Sequence, residues 1–156
     1  MKSWLLDTNV ISQLAPTKDG HVRAEPPLLE WLRDRTDVLY LSAVTVVEIS
    51  AGIEKLRAAG VKDRAEALER WLDRILAYYG NRVLPLDSAV GKVAGALAER
   101  ARANGRHPGF SDVLIAATAE AHEHCLLTRN IRHFEPLRLS ISLADPLAPE
   151  FEGRLL

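Results

Sequence analysis

Short apolar runs, each stopped by a polar residue that can open a helix, constrain this chain more than any other feature. Trp4-Leu5-Leu6 ends at Asp7, Val38 to Leu41 ends at Ser42, Val83 to Leu86 ends at Asp87, and Cys125-Leu126-Leu127 ends at Thr128. Runs this short, apolar on both faces, read as buried strands of a parallel sheet rather than helices. A parallel pair needs a crossover, and helical patterns fill the intervals, so the expected class is an α/β sandwich around a mostly parallel sheet. Leu139 to Ile141 is the expected last strand. Pro85 keeps the third run from being central throughout, because proline cannot donate to the ladder.

The helices follow from caps and periodicity. A short helix is expected over Val10 to Leu14, a loop over Pro16 to Pro27, and a brief helix around Leu28, Leu29 and Leu32. Ser42 and Thr45 are both N-cap candidates for a helix running to Leu56, with Gly60 punctuating its end. Asp63 is the expected cap of the next helix, where Ala65, Leu68, Leu72, Ile75 and Tyr79 share one face. These two segments form a helical hairpin. Asp87 caps an amphipathic helix carrying Val90, Val93, Leu97 and Ala101. Ser111 is expected to cap a helix apolar almost all round (Val113, Leu114, Ile115, Ala116, Ala117, Ala119), which must be buried.

With 156 residues, 47% of them hydrophobic and 26% charged, the chain matches one globular domain spanning 1–156. No apolar stretch reaches the ~20 residues of a membrane span, and no secretory signal is visible at the start. One cysteine, Cys125, fits a reducing cytoplasm. A net charge of −1 excludes nucleic-acid binding through the overall field, so any such contact is local.

Three carboxylates stand in apolar surroundings where a parallel sheet collects ligands, at the carboxyl ends of its strands. Asp7 follows the first strand; a helix N-cap is its plainer role. Glu48 lies in Ala43-Val44-Thr45-Val46-Val47-Glu48-Ile49, where burial of an unpartnered charge is costly, so a cation is expected nearby. The alternative is a buried ion pair with an arginine. Asp112 opens the apolar helix, and its alternative is a first-turn acid favoured by the helix dipole. Oxygen-only ligands favour Mg²⁺ or Mn²⁺. His122 and His124, two apart, are expected to face different ways, and no zinc-site spacing exists.

Four segments then carry a resemblance: Leu6-Asp7-Thr8-Asn9-Val10-Ile11-Ser12, Val46-Val47-Glu48-Ile49-Ser50-Ala51-Gly52-Ile53, Ser111-Asp112-Val113-Leu114-Ile115-Ala116-Ala117-Thr118-Ala119 and Leu127-Thr128-Arg129-Asn130-Ile131-Arg132-His133-Phe134. In order and separation they resemble the signature blocks of PIN-domain toxins of the VapC type. The resemblance implies a three-layer α/β/α fold, Mg²⁺- or Mn²⁺-dependent cleavage of RNA, and a small cognate antitoxin. It carries metal ligation onto Asp7, Glu48 and Asp112, and a supporting role onto Thr8 and Thr128. Many such nucleases hold a further acid in the fourth block; here Asn130 stands close to that place and offers one neutral oxygen. Arg102, Arg106, Arg129 and Arg132 are candidates for gripping the RNA backbone, and His107 is a second type of phosphate contact in the same loop as Arg106.

Two other readings remain in view. A phosphotransferase of the haloacid-dehalogenase kind also begins with a strand and an aspartate, but needs a second Asp where Asn9 stands. A non-catalytic PIN-like RNA- or protein-binding module would tolerate Asn130. The hairpin carries Leu56, Val61, Leu68, Trp71, Leu72, Ile75, Tyr78 and Tyr79, more than one stripe can bury, which predicts a homodimer or a partner along it.

Overall fold

The computed structural model describes residues 2–151. Five strands, β1 (Trp4–Leu6), β2 (Leu39–Ser42), β3 (Val83–Leu84), β4 (Cys125–Leu127) and β5 (Leu143–Ala144), form one sheet in the order β3-β2-β1-β4-β5. Every pairing is parallel, with Leu5 opposite Tyr40 on one side and Leu126 on the other. Side chains alternate across this sheet. Trp4, Leu6, Leu39 and Leu41 enter one core, while Leu5, Leu84 and Leu126 enter the other. Both faces are therefore covered, as a parallel sheet requires.

The helices are α1 (Thr8–Ile11), α2 (Pro26–Asp34), α3 (Ala43–Ala58), α4 (Lys62–Tyr79), α5 (Ser88–Ala103), α6 (Phe110–Ala121) and α7 (Ile131–Phe134). The first core takes α1, α2 and the α3–α4 hairpin, and Trp4, Trp31 and Phe151 meet there with ring centroids 5.1–5.8 Å apart. The second core takes α5 and α6, whose Val113, Ile115, Ala116, Ala117 and Ala119 are all buried. Small side chains let α6 lie close on α5, where Ala94, Leu97 and Ala101 are buried in the same core. The result is a three-layer α/β/α sandwich with β1 at its centre.

Several local expectations shift. Residues 139–143 read Leu-Ser-Ile-Ser-Leu, an unbroken alternation, but only Leu143–Ala144 pair with β4; Leu139 and Ile141 pack on the second core. Ser42 alone caps α3, accepting from the Val44 N–H at 3.1 Å, so Thr45 lies inside the helix. Helix α4 begins at Lys62, making Asp63 a first-turn acid rather than the cap. Helix α6 begins at Phe110 after Gly109, so Ser111 is not a cap and its hydroxyl is turned elsewhere. Helix α2 starts at Pro26, ahead of the expected helix, because proline's fixed φ suits the first turn. His122 and His124 lie in the turn after α6, with Glu123 at φ +55, and their rings stack 5.9 Å apart instead of facing different ways.

The hairpin also buries more than expected. Trp71, Leu72 and Tyr79 are core residues, Leu56, Leu68 and Ile75 pack against them, and of the large apolar side chains Val47, Val61 and Tyr78 stay largely exposed. The surplus that suggested a homodimer thus shrinks to those three side chains and a groove beside α3. Among the described residues no helix is long and apolar enough to cross a membrane.

Candidate active site

The chain runs outward from β1 to β2 and β3, then returns to β4 on the other side of β1, so the strand order reverses between β1 and β4. That crevice is where doubly wound sheets bind ligands. Asp7 and Thr128 leave the two strands side by side, and the Asp7 N–H donates to the Leu127 carbonyl at 2.9 Å. Asp7 is only 5% exposed. Its Oδ1 accepts from the Thr8 N–H at 2.7 Å, which makes it the cap of α1, and its Oδ2 accepts from the buried Thr128 hydroxyl at 2.7 Å. Both roles read from the sequence, cap and acid at the sheet edge, fall on one residue.

Glu48 is half-buried rather than enclosed, because α3 turns this face toward the crevice. No arginine pairs with it among the described residues. Its Oε1 accepts from the Thr8 hydroxyl at 2.7 Å and its Oε2 from Ser111 Oγ at 3.4 Å. With Thr8's proton committed to Glu48, the 2.9 Å contact between Thr8 and Thr45 has Thr45 as donor. Asp112 sits in the first turn of α6 with its side chain 23% exposed, and His133 Nδ1 lies 3.3 Å from its Oδ2.

Burial pushes the Asp7 carboxyl up to about 6, opposed by the hydrogen bonds from Thr128 and Thr8, and the negative charges of Asp112 and Glu48 push it further the same way. The last contribution means that all three acids share one electrostatic neighbourhood. Among the described residues no three Asp, Glu, His or Cys side chains are arranged to hold an ion directly. The donor set still suits a hard cation: Mg²⁺ is commonly held by one or two carboxylates plus waters and substrate oxygens.

Asn130 is exposed, and its side chain makes no hydrogen bond among the described residues; its backbone N–H donates to Thr128 Oγ1 at 3.0 Å. It occupies the cap position of α7 without a side-chain capping bond. Asn9 does more than the sequence suggested, accepting from the Arg129 N–H at 3.2 Å and so tying the loops after β1 and β4. Ser111, Thr45 and His133 also enter the site unannounced, although Ser111 and His133 lie inside the four sequence blocks. Of the arginine candidates, Arg102 is engaged by Glu99 at 2.6 Å, whereas Arg106 and Arg132 line one cavity.

A sheet edge with acids from three successive blocks, on this topology, defines a class. The PIN domain family model matches residues 4–136, and the chain belongs to that family. Within it the chain is one of the VapC-type ribonuclease toxins of toxin–antitoxin pairs. It is 36% identical over 140 residues to VapC ribonuclease Y4jK of Sinorhizobium fredii, covering 88% of this chain and 94% of that one. Toxin FitB of Neisseria gonorrhoeae is 34% identical over 132 residues, covering 83% and 89%. The crystal structure of FitAcB from Neisseria gonorrhoeae superposes with a TM-score of 0.73 at 29% identity, over 90% of this chain and 96% of that chain.

Proposed function

We propose that the protein cleaves RNA with Mg²⁺ or Mn²⁺ held at the edge formed by Asp7, Glu48 and Asp112. The observation that carries this reading is the buried Asp7 carboxyl, held by Thr128 and the Thr8 N–H at the sheet edge that it shares with Glu48 and Asp112. Among the described residues no lysine or arginine pairs with Asp7, Glu48 or Asp112, so an external cation would offset the cost of holding a buried Asp7 carboxylate beside two further acids. Such a cation, when bound, activates water and offsets charge on the scissile phosphate.

The chain's own residues prepare that step. Thr128 and the Thr8 N–H hold Asp7 from both sides, and each carboxylate oxygen keeps a second lone pair for a cation. Thr8 and Ser111 orient Glu48, either as a ligand or as the acceptor that aligns the attacking water. His133 fixes the Asp112 carboxylate in the tautomer that carries a proton on Nδ1. Asn130 adds at most a neutral oxygen, so a second ion would bind weakly or only with substrate.

The partner reading also has a place on the surface. A groove of about 270 Å³ runs from Thr8 and Glu48 along Ile49, Ile53, Leu68 and Trp71, with Arg23 and Arg64 also lining it. A cognate antitoxin laying an apolar segment there would reach the acidic edge and occlude it. The toxin relatives support such a partner, and a homodimer is compatible with it.

The test is cleavage of single-stranded RNA by the purified protein. Activity should require Mg²⁺ or Mn²⁺, vanish with chelator, and fall with Asp112→Asn. RNA binding with no cleavage under any divalent cation would instead favour a non-catalytic binding module.

A further inference from the structure

We propose that a basic cavity beside the loops leading to Asp112 and His133 is a second phosphate site, gripping the RNA strand away from the scissile bond. This rests on the nuclease reading above. The cavity measures about 610 Å³ and is lined by Asn104, Arg106, Arg132, Glu135, Pro136 and Arg138, within the ~300–1,000 Å³ range of ligand-binding clefts. Three arginines against one glutamate leave its wall positive in a chain of net charge −1. Arg33, Arg57 and Arg102 each hold an acid. Among the described residues, the side chains of Arg106, Arg132 and Arg138 hold none.

Its frame is built, not incidental. Arg100 donates to the Leu137 carbonyl at 2.8 Å and to the Arg138 carbonyl at 2.9 Å, and Asn104 donates to the Pro136 carbonyl at 3.4 Å. These bonds pin the turn after α7 onto α5. Arg138 there adopts φ +47, a left-handed conformation that side-chain-bearing residues avoid. Strain of this kind, held by surrounding bonds, is a pointer to function.

Both walls also run into the candidate active site. Arg132 precedes His133, whose ring lies 3.3 Å from Asp112, and Arg106 belongs to the loop that leads into α6 and Asp112 itself. Cavity and candidate active site thus share the loop before α6 and the short helix α7, the two segments that an RNA strand bound at Asp112 would follow to the cavity. Guanidinium groups suit that backbone, since they meet phosphate oxygens in pairs. The charges match: an RNA chain brings one anion per nucleotide to a wall with three unengaged cations.

The experiment measures binding of a fluorescein-labelled single-stranded oligoribonucleotide, with chelator present, across salt concentrations. The wild type is compared with Arg106→Gln/Arg132→Gln/Arg138→Gln and with Arg33→Gln/Arg70→Gln/Arg74→Gln, which removes the same charge elsewhere. Each phosphate contact on a single strand contributes ~0.7 to the log–log salt slope, so losing three lowers it by about 2. The advantage of the wild type should then be roughly fifteen- to twentyfold larger at 50 mM than at 200 mM salt. The triple lysine variant at the same positions should keep the slope, and Glu135→Gln should tighten binding. An unchanged slope in the cavity variant, or an equal loss in the charge-matched control, overturns the proposal and leaves the cavity to an acidic protein partner. Wild-type cleavage is assayed in parallel with Mg²⁺ and Mn²⁺. A lost slope without cleavage by the wild type would sink the nuclease reading while the cavity assignment stands.

Discussion

Replacing Asp7 by asparagine should make the metal-free protein more stable above pH 6, although it removes the proposed cation ligand. The folded-state pKa is about 6 against an ordinary value of 3.8. That difference corresponds to ~3 kcal/mol, at ~1.4 kcal/mol of preference between protonation states for each tenfold change in proton affinity. Below pH 3.8 the group is neutral folded and unfolded, and its ionisation has no effect. Between 3.8 and 6 the unfolded chain releases its proton first, so wild-type stability falls as pH rises. Above 6 the loss is complete. The substituted amide would be neutral throughout, yet would exchange two good acceptor bonds, from Thr8 and Thr128, for one acceptor and one donor. Allowing ~1 kcal/mol for that mismatch, the variant gains about 2 kcal/mol at pH 7.5, or roughly 4–8 °C in Tm for a chain of this size. Urea or thermal unfolding in chelator from pH 4 to 8 measures the difference directly. The gain should be absent at the acid end and grow through the interval. A difference independent of pH, or a wild type more stable at pH 7.5 without metal, would refute the reasoning.

Other perturbations follow from the same geometry. Glu48→Gln and Asp112→Asn should each lower single-turnover RNA cleavage by about two to four decades, at ~1.4 kcal/mol of transition-state stabilisation per decade, with folding retained by circular dichroism. Thr128→Val removes the hydrogen bond that lowers the Asp7 pKa, so the acidic limb of the pH–rate profile should move to higher pH; an unmoved limb would detach Thr128 from that carboxyl. Asn130→Asp adds a full charge beside Thr128 and should tighten Mn²⁺ binding in calorimetry, and an unchanged affinity would leave Asn130 as nothing more than the residue before α7.

Much of the fold was legible because this sheet announces itself chemically. A strand buried on both faces must be apolar at every position, and Trp4-Leu5-Leu6 and Cys125-Leu126-Leu127 are. Asp7 and Asp87 were readable as caps because capping is a local, short-range bond. The last strand was not, since Leu139, Ile141 and Leu143 satisfy the same alternation and only pairing with Leu126 decides the register. At the site, Asp7, Glu48 and Asp112 stood out as charges in apolar company. Their organisers did not. Ser111, Thr45 and Asn9 are ordinary polar residues until the fold sets them against partners up to 120 positions away, as with Asn9 and Arg129. The burial of Glu48 was overestimated because α3 is apolar on nearly all sides, although one of those sides, carrying Val47 at 63% exposure, faces solvent.

The most direct measurement is anomalous scattering from crystals of the active protein soaked in Mn²⁺ with an uncleavable RNA. A manganese peak bounded by Asp7 and Asp112, with Glu48 in reach directly or through water, is the predicted result. An enzyme that cleaves RNA in solution yet shows manganese only elsewhere, or none at that edge, would contradict the assignment of these three acids.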